Sequence, residues 1–113
     1  MIAEILMKKT SFFLASVALV LSLPVQAAGN AEAGKAKSTT CAACHGFDGV
    51  SSVPSFPKLA GQNRDYLYHS LLAYKSGKRK NPIMAGQVQT LTDADMQDLA
   101  LYFSKQKGLY LKY

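Results

Sequence analysis

The feature that most constrains this chain is Cys41-Ala42-Ala43-Cys44-His45. These are the chain's two cysteines, and they sit in one five-residue run. A disulfide-stapled secreted scaffold spreads more cysteines along its length, so this pair reads as one local site. Two thiols three positions apart can reach both vinyl groups on one edge of a porphyrin. The histidine that follows directly is then held under the iron and can ligate it through Nε2. This is the attachment pattern of a c-type haem. A Cys-x-x-Cys also serves as a thiol redox pair or as half a zinc site. The redox pair expects a βαβ context, which the chain lacks. Zinc would have to recruit His69 and take ligands from the adjacent Cys44 and His45, an awkward tetrahedron.

The chain has 113 residues and a formal charge of +6, which suits one small basic domain. Its first part differs from the rest. Lys8 and Lys9 precede an apolar run from Phe12 to Leu23, and Pro24 and Val25-Gln26-Ala27 follow. A positive patch, a short apolar stretch and small residues at the cleavage positions make a secretory signal peptide over residues 1–27, cut after Ala27. The apolar run falls short of the roughly 20 residues a membrane span needs, so no stable membrane insertion is expected. Met7-Lys8-Lys9 is itself a reasonable start, which leaves Met1 and Met7 as alternatives. The domain then occupies residues 28–113, in the periplasm. A domain this small buries a modest fraction of its surface and gains from a bulky core-filler.

The mature part reads as all-α. Asn30 caps a helix from Ala31 to about Thr39. Gly46 to Gln62, with Pro54 and Pro57, is loop. Asn63 precedes a helix from about Arg64 to Ser76, in which Leu67, Leu71 and Tyr74 share a face. Gly77 stops it, and Lys78-Arg79-Lys80 suits its negative end. Asn81 to Leu91 reads as a second loop. Thr92 with Asp95 resembles a capping box, opening a helix that ends near Gly108 with Met96, Leu99, Ala100 and Phe103 on its apolar face. No convincing strand is visible.

With these landmarks in place, the chain resembles class I c-type cytochromes, in particular the monohaem c553 and c5 types and one half of a dihaem cytochrome c4. The resemblance rests on Cys41 to Gly46, Asp48-Gly49, Pro57-Lys58-Leu59-Ala60-Gly61-Gln62, Tyr66-Leu67, Gly77-Lys78-Arg79, Met84 and Leu99-Ala100-Leu101-Tyr102-Phe103. It implies a small cytochrome c fold, three or more helices wrapped around one covalently bound haem c. It also implies a methionine opposite His45. Met96 lies on a helical apolar stripe and reads as core filler. Met84 lies in the expected loop between the last two helices, so Met84 is the expected sixth ligand. His69 falls off the apolar stripe of its helix and reads as a surface residue.

The resemblance further implies that the Pro57 carbonyl holds the other ring nitrogen of His45. Tyr66, Leu67, Leu71 and Leu72 are expected to wall the haem, with helix–helix core as the alternative. Arg79 is expected to pair with a propionate, with a solvated helix-end charge as the alternative. Gly34 and Tyr102 fit the family's packing of first helix on last. Lys37 and Ser38 depart from it, standing where an apolar contact often lies.

An iron held from both sides has no vacant position, so the expected function is outer-sphere electron transfer rather than catalysis. Lys58, Lys75, Lys78, Arg79 and Lys80 are candidates for a basic rim that steers redox partners with an acidic docking face. The basic residues form no stripe interleaved with stacked aromatics, which argues against nucleic acid. The alternatives are a haem subunit fixed in an oxidoreductase complex and a gas-binding haem sensor with an open iron.

Overall fold

The computed structural model describes residues 29–108. The expected signal peptide and its expected cleavage site after Ala27 lie outside the described residues. Among the described residues five helices follow one another: α1 (Ala31–Lys37), α2 (Thr39–His45), α3 (Arg64–Lys75), α4 (Pro82–Val88) and α5 (Asp93–Ser104). Among the described residues there is no strand, and no helix is long and apolar enough to cross a membrane.

Capping chemistry sets most of the boundaries. The Asn30 side chain accepts from Ala33 N, that of Asn63 from Tyr66 N, and Thr92 and Asp95 form a complete capping box. Besides the last helix, which ends at Ser104 rather than near Gly108, two boundaries differ from the sequence expectation. The first helix stops at Lys37. Ser38, 4 % exposed, turns its hydroxyl back onto the Lys35 carbonyl at 2.7 Å. Its own carbonyl accepts from Ala42 N to open α2. The serine thus satisfies backbone groups at the break, and the Cys-x-x-Cys-His run stands on a helix of its own.

The second difference is the segment 81–91, expected as loop. Residues 82–88 are helical. Pro82 suggested a breaker, but it occupies the first turn, where its missing N–H costs nothing and its fixed φ is already helical.

Helix α1 packs chiefly on α5, α3 on α5, and α4 on α3. The core centres on Leu67, Leu99, Ala100 and Phe103, with Cys41, Leu59, Leu71, Leu91 and Tyr102 packed against it. Met96 is 2 % exposed, a core residue of α5.

The α1–α5 contact is closed by a glycine. A Cβ placed on Gly34 would lie 2.1 Å from the Asp98 carbonyl oxygen and 2.8 Å from Tyr102 Cβ. The helices therefore touch backbone to backbone. Lys37 stands where an apolar contact was expected, and its Nζ reaches Asp95 Oδ1 and Asp98 Oδ2, each at 2.7 Å. Asp98 also accepts from Asn30 N at 2.7 Å. An ionic clamp replaces the apolar contact, which explains a carboxylate buried within the apolar stripe of α5.

Candidate haem site

Helix α2 presents Cys41, Cys44 and His45 within one turn. Both thiols are free and half-buried. Burial pushes the Cys41 thiol above its ordinary value, which disfavours the thiolate a dithiol redox pair depends on. Among the described residues, no three His, Cys, Asp or Glu side chains gather into a group able to hold a metal ion, so the zinc alternative lacks a ligand set. His69 is exposed, and its Nδ1 donates to the Asp65 carbonyl of its own helix at 2.7 Å.

His45 closes α2 and is 7 % exposed. Gly46 follows with φ +83, a conformation open to glycine, and turns the chain back. That reversal brings the following loop over the motif. The Pro57 carbonyl accepts from His45 Nδ1 at 2.8 Å. This bond fixes the tautomer and leaves Nε2 as the ring nitrogen available to ligate a metal. Phe56 meets the imidazole edge-on with centroids 6.4 Å apart. Ser51 Oγ donates to the Cys44 carbonyl at 3.1 Å. The loop is anchored in turn, since Leu59 and Ala60 donate to the Gly49 carbonyl and Gly61 to that of Phe103. Tyr102 donates to the Phe47 carbonyl at 2.8 Å, tying the loop's start to α5.

The other expected site residues divide. Leu67 is in the core cluster that Cys41 and Leu71 also touch, so these three share one apolar surface. Leu72 is half-buried, and Tyr66 is 54 % exposed. Met84 is half-buried on α4, while its neighbour Ile83 is 57 % exposed. Arg79 stacks over Tyr74 at 4.9 Å and reaches Ser70 Oγ at 3.4 Å, so its contacts lie on α3. Lys75 is not a free rim charge: its Nζ donates to the Leu91 carbonyl. Ser51, Phe56 and Asp98 were not singled out from sequence. Only Asp98 carried a visible signal, as a charge inside an apolar stripe.

The donor set is the one a c-type haem takes: two thiols and an imidazole whose Nδ1 is already engaged. Large apolar side chains are also left exposed beside the motif, at Phe47, Val50 and Val53, and on α4 at Ile83. Exposed apolar surface next to the motif suits a large flat apolar ligand. The residues present fit the group.

The cytochrome c family model matches residues 31–107. This chain belongs to the cytochrome c family. It is 46 % identical to cytochrome c4 of Stutzerimonas stutzeri over 105 residues, covering 81 % of this chain and 50 % of the relative. It is 45 % identical to cytochrome c-554(548) of Halomonas halodenitrificans over 83 residues, covering 71 % of this chain and 100 % of the relative. The crystal structure of reduced recombinant cytochrome c4 from Pseudomonas stutzeri superposes with a TM-score of 0.69 at 47 % identity, over 73 % of this chain and 48 % of that one. The chain thus spans about half the length of the cytochrome c4 relatives it matches. It is a class I c-type cytochrome with an all-α fold and one covalently bound haem c.

Proposed function

We propose that this cytochrome carries single electrons between redox proteins in the periplasm, with its iron held by His45 Nε2 and the Met84 thioether. The observation that carries the reading is the 2.8 Å bond from His45 Nδ1 to the Pro57 carbonyl, which leaves Nε2 as the ligating nitrogen. Cys41 and Cys44 form the two thioethers. When bound, the haem supplies an iron that changes between ferrous and ferric by one electron.

The chain's part is to keep that change small in structural terms. His45 is locked by Pro57, Phe56 and the close of α2, so its ring does not reorient. The Met84 thioether as second protein ligand would leave no position for oxygen or substrate and would favour the ferrous state. Met84 is the candidate because Met96 is fully committed to the core. Leu67 and Leu71 offer apolar wall on the side where Cys41 packs. Tyr66 and Arg79 are assigned to the haem rim, Arg79 toward a propionate from its present place beside Tyr74.

Partner encounter falls to exposed charge. Lys58, Lys78, Arg79 and Lys80 are exposed, and a basic rim of this kind attracts a partner with an acidic face. Export through a signal peptide over residues 1–27 puts the protein where c-type attachment occurs.

The test is the ferric far-red band that reports an iron–thioether bond. The holoprotein should have the band and its ferrous form should bind little carbon monoxide. Met84→Ala should abolish the band and open the iron to carbon monoxide, while Met96→Ala keeps the band. A band lost with Met96→Ala, or a parent protein that binds carbon monoxide freely, overturns the ligand assignment.

A further inference from the structure

Helix α4 has little stability of its own. It has seven residues, and isolated helices below about 12 to 15 residues are marginal in water. It also contains Gly86, a residue that weakens a helix interior relative to alanine. Apart from its packing on α3, it is held from its two ends. At the C-terminal end Val88 is 1 % exposed, and its carbonyl accepts from Leu91 N at 3.1 Å. At the N-terminal end everything converges on Asn81. Its Oδ1 accepts from Ile83 N at 3.0 Å and from Met84 N at 3.1 Å, and its backbone carbonyl accepts from Ala85 N at 2.9 Å. One asparagine therefore fixes three successive peptide units, with the Met84 amide among them.

We propose that Asn81 is the positioning residue for the sixth iron ligand: its side chain clamps the first turn of α4 and so holds the Met84 thioether toward the iron. The inference rests on the reading of Met84 as ligand. Because α4 is marginal, the cap controls the fraction of time the first turn is formed. Because Met84 lies within that turn, loss of the cap appears as loss of ligation before it appears as loss of the fold. The rest of the core, around Leu67, Leu99, Ala100 and Phe103, contains no residue of α4. Gly86 offers a lever in the opposite direction, since a Cβ built there meets nothing within 4 Å.

The probe is imidazole added to the ferric, haem-loaded protein, which competes with the thioether and bleaches the far-red band. Asn81→Ala should bind imidazole about five- to tenfold more tightly, the equivalent of about 1 to 1.4 kcal/mol of helix capping. Its far-red band should melt at a lower temperature than its helical circular dichroism. Asn81→Ser, which retains a capping oxygen, should restore both. Gly86→Ala should weaken imidazole binding about two- to fivefold by stabilising the same turn.

If Asn81→Ala binds imidazole within twofold of the parent, the proposal is overturned. If that variant does not accumulate with haem, Gly86→Ala decides alone: unchanged or tighter imidazole binding overturns the proposal, and weaker binding supports it. Met84→Ala separates the two levels of the argument. A far-red band that survives it refutes the ligand assignment, whereas its loss beside an indifferent Asn81→Ala refutes only the role of the asparagine.

Discussion

Replacing glycine by alanine inside a helix normally stabilises a protein, by about 0.5 to 1 kcal/mol. At Gly34 the structure demands the opposite. The new Cβ would sit 2.1 Å from the Asp98 carbonyl oxygen, 2.6 Å from its carbon and 2.8 Å from Tyr102 Cβ. Two of these three atoms are backbone of α5, so no side-chain rotation relieves the contact, and α1 must move away from α5 by about 1.5 Å to reach ordinary contact distances. That movement pulls at the 2.7 Å bonds from Lys37 and Asn30 to Asp98, which span the same interface. Overpacking costs typically about 1 to 3 kcal/mol and occasionally more. With a rigid backbone neighbour the upper end applies, and the helical gain offsets under 1 kcal/mol of it. The expected net loss is about 2 to 3 kcal/mol, a large share of what a domain of this size possesses. At about 4 to 8 °C per kcal/mol, the midpoint should fall by about 10 to 20 °C. The assay is thermal and urea unfolding of the holoprotein by circular dichroism, with Gly86→Ala as a control in which the same change meets no other protein atom within 4 Å and raises the midpoint by a few degrees. A Gly34→Ala protein as stable as its parent would refute the close α1–α5 approach.

Other predictions address charge. Lys37 holds the Asp95 carboxyl down to about 2 from an ordinary 3.8, mainly through its hydrogen bond. A depressed carboxyl contributes stability that is present above the unfolded value and is lost as pH falls through the folded one. The midpoint should therefore drop between about pH 4 and pH 2, and Lys37→Met should flatten that part of the curve while lowering the neutral-pH midpoint. A parallel but distinct contribution comes from Asp93, held down first by the Tyr68 hydroxyl and then by the Gln97 amide, and Tyr68→Phe should reduce it without touching the Lys37 effect. If Lys78, Arg79 and Lys80 belong to the docking rim, reversing all three to Glu should slow oxidation of the ferrous protein by ferricyanide at low salt. The difference should shrink as ionic strength rises. Equal rates at low salt would remove these residues from the rim.

Much of this molecule could be read before its fold was known. The haem motif, the caps at Asn30, Asn63 and Thr92, and the core stripe through Met96, Leu99, Ala100 and Phe103 are local patterns, and local patterns survive folding. The contact between His45 and the Pro57 carbonyl was expected from family resemblance and is present. What escaped was set by tertiary context or by a residue with two meanings. Pro82 breaks a helix interior but begins a helix well, and only Asn81 before it distinguishes the two. Ser38 stood out only as a polar residue where an apolar contact often lies, yet its buried hydroxyl ends the helix. Lys75 counted as surface charge until the Leu91 carbonyl was found beside it, and such a pairing across 16 residues has no sequence signature. Lys37 seemed a flaw in the α1 face because its partners lie on a helix some 60 positions away.

The most direct measurement is a pyridine haemochrome spectrum together with the intact mass of protein matured by its own export machinery. A polypeptide heavier by one haem, with a two-thioether spectrum and no thiol left to alkylate at Cys41 or Cys44, is the expected result. A colourless folded protein in which both cysteines still react with a thiol reagent would contradict it.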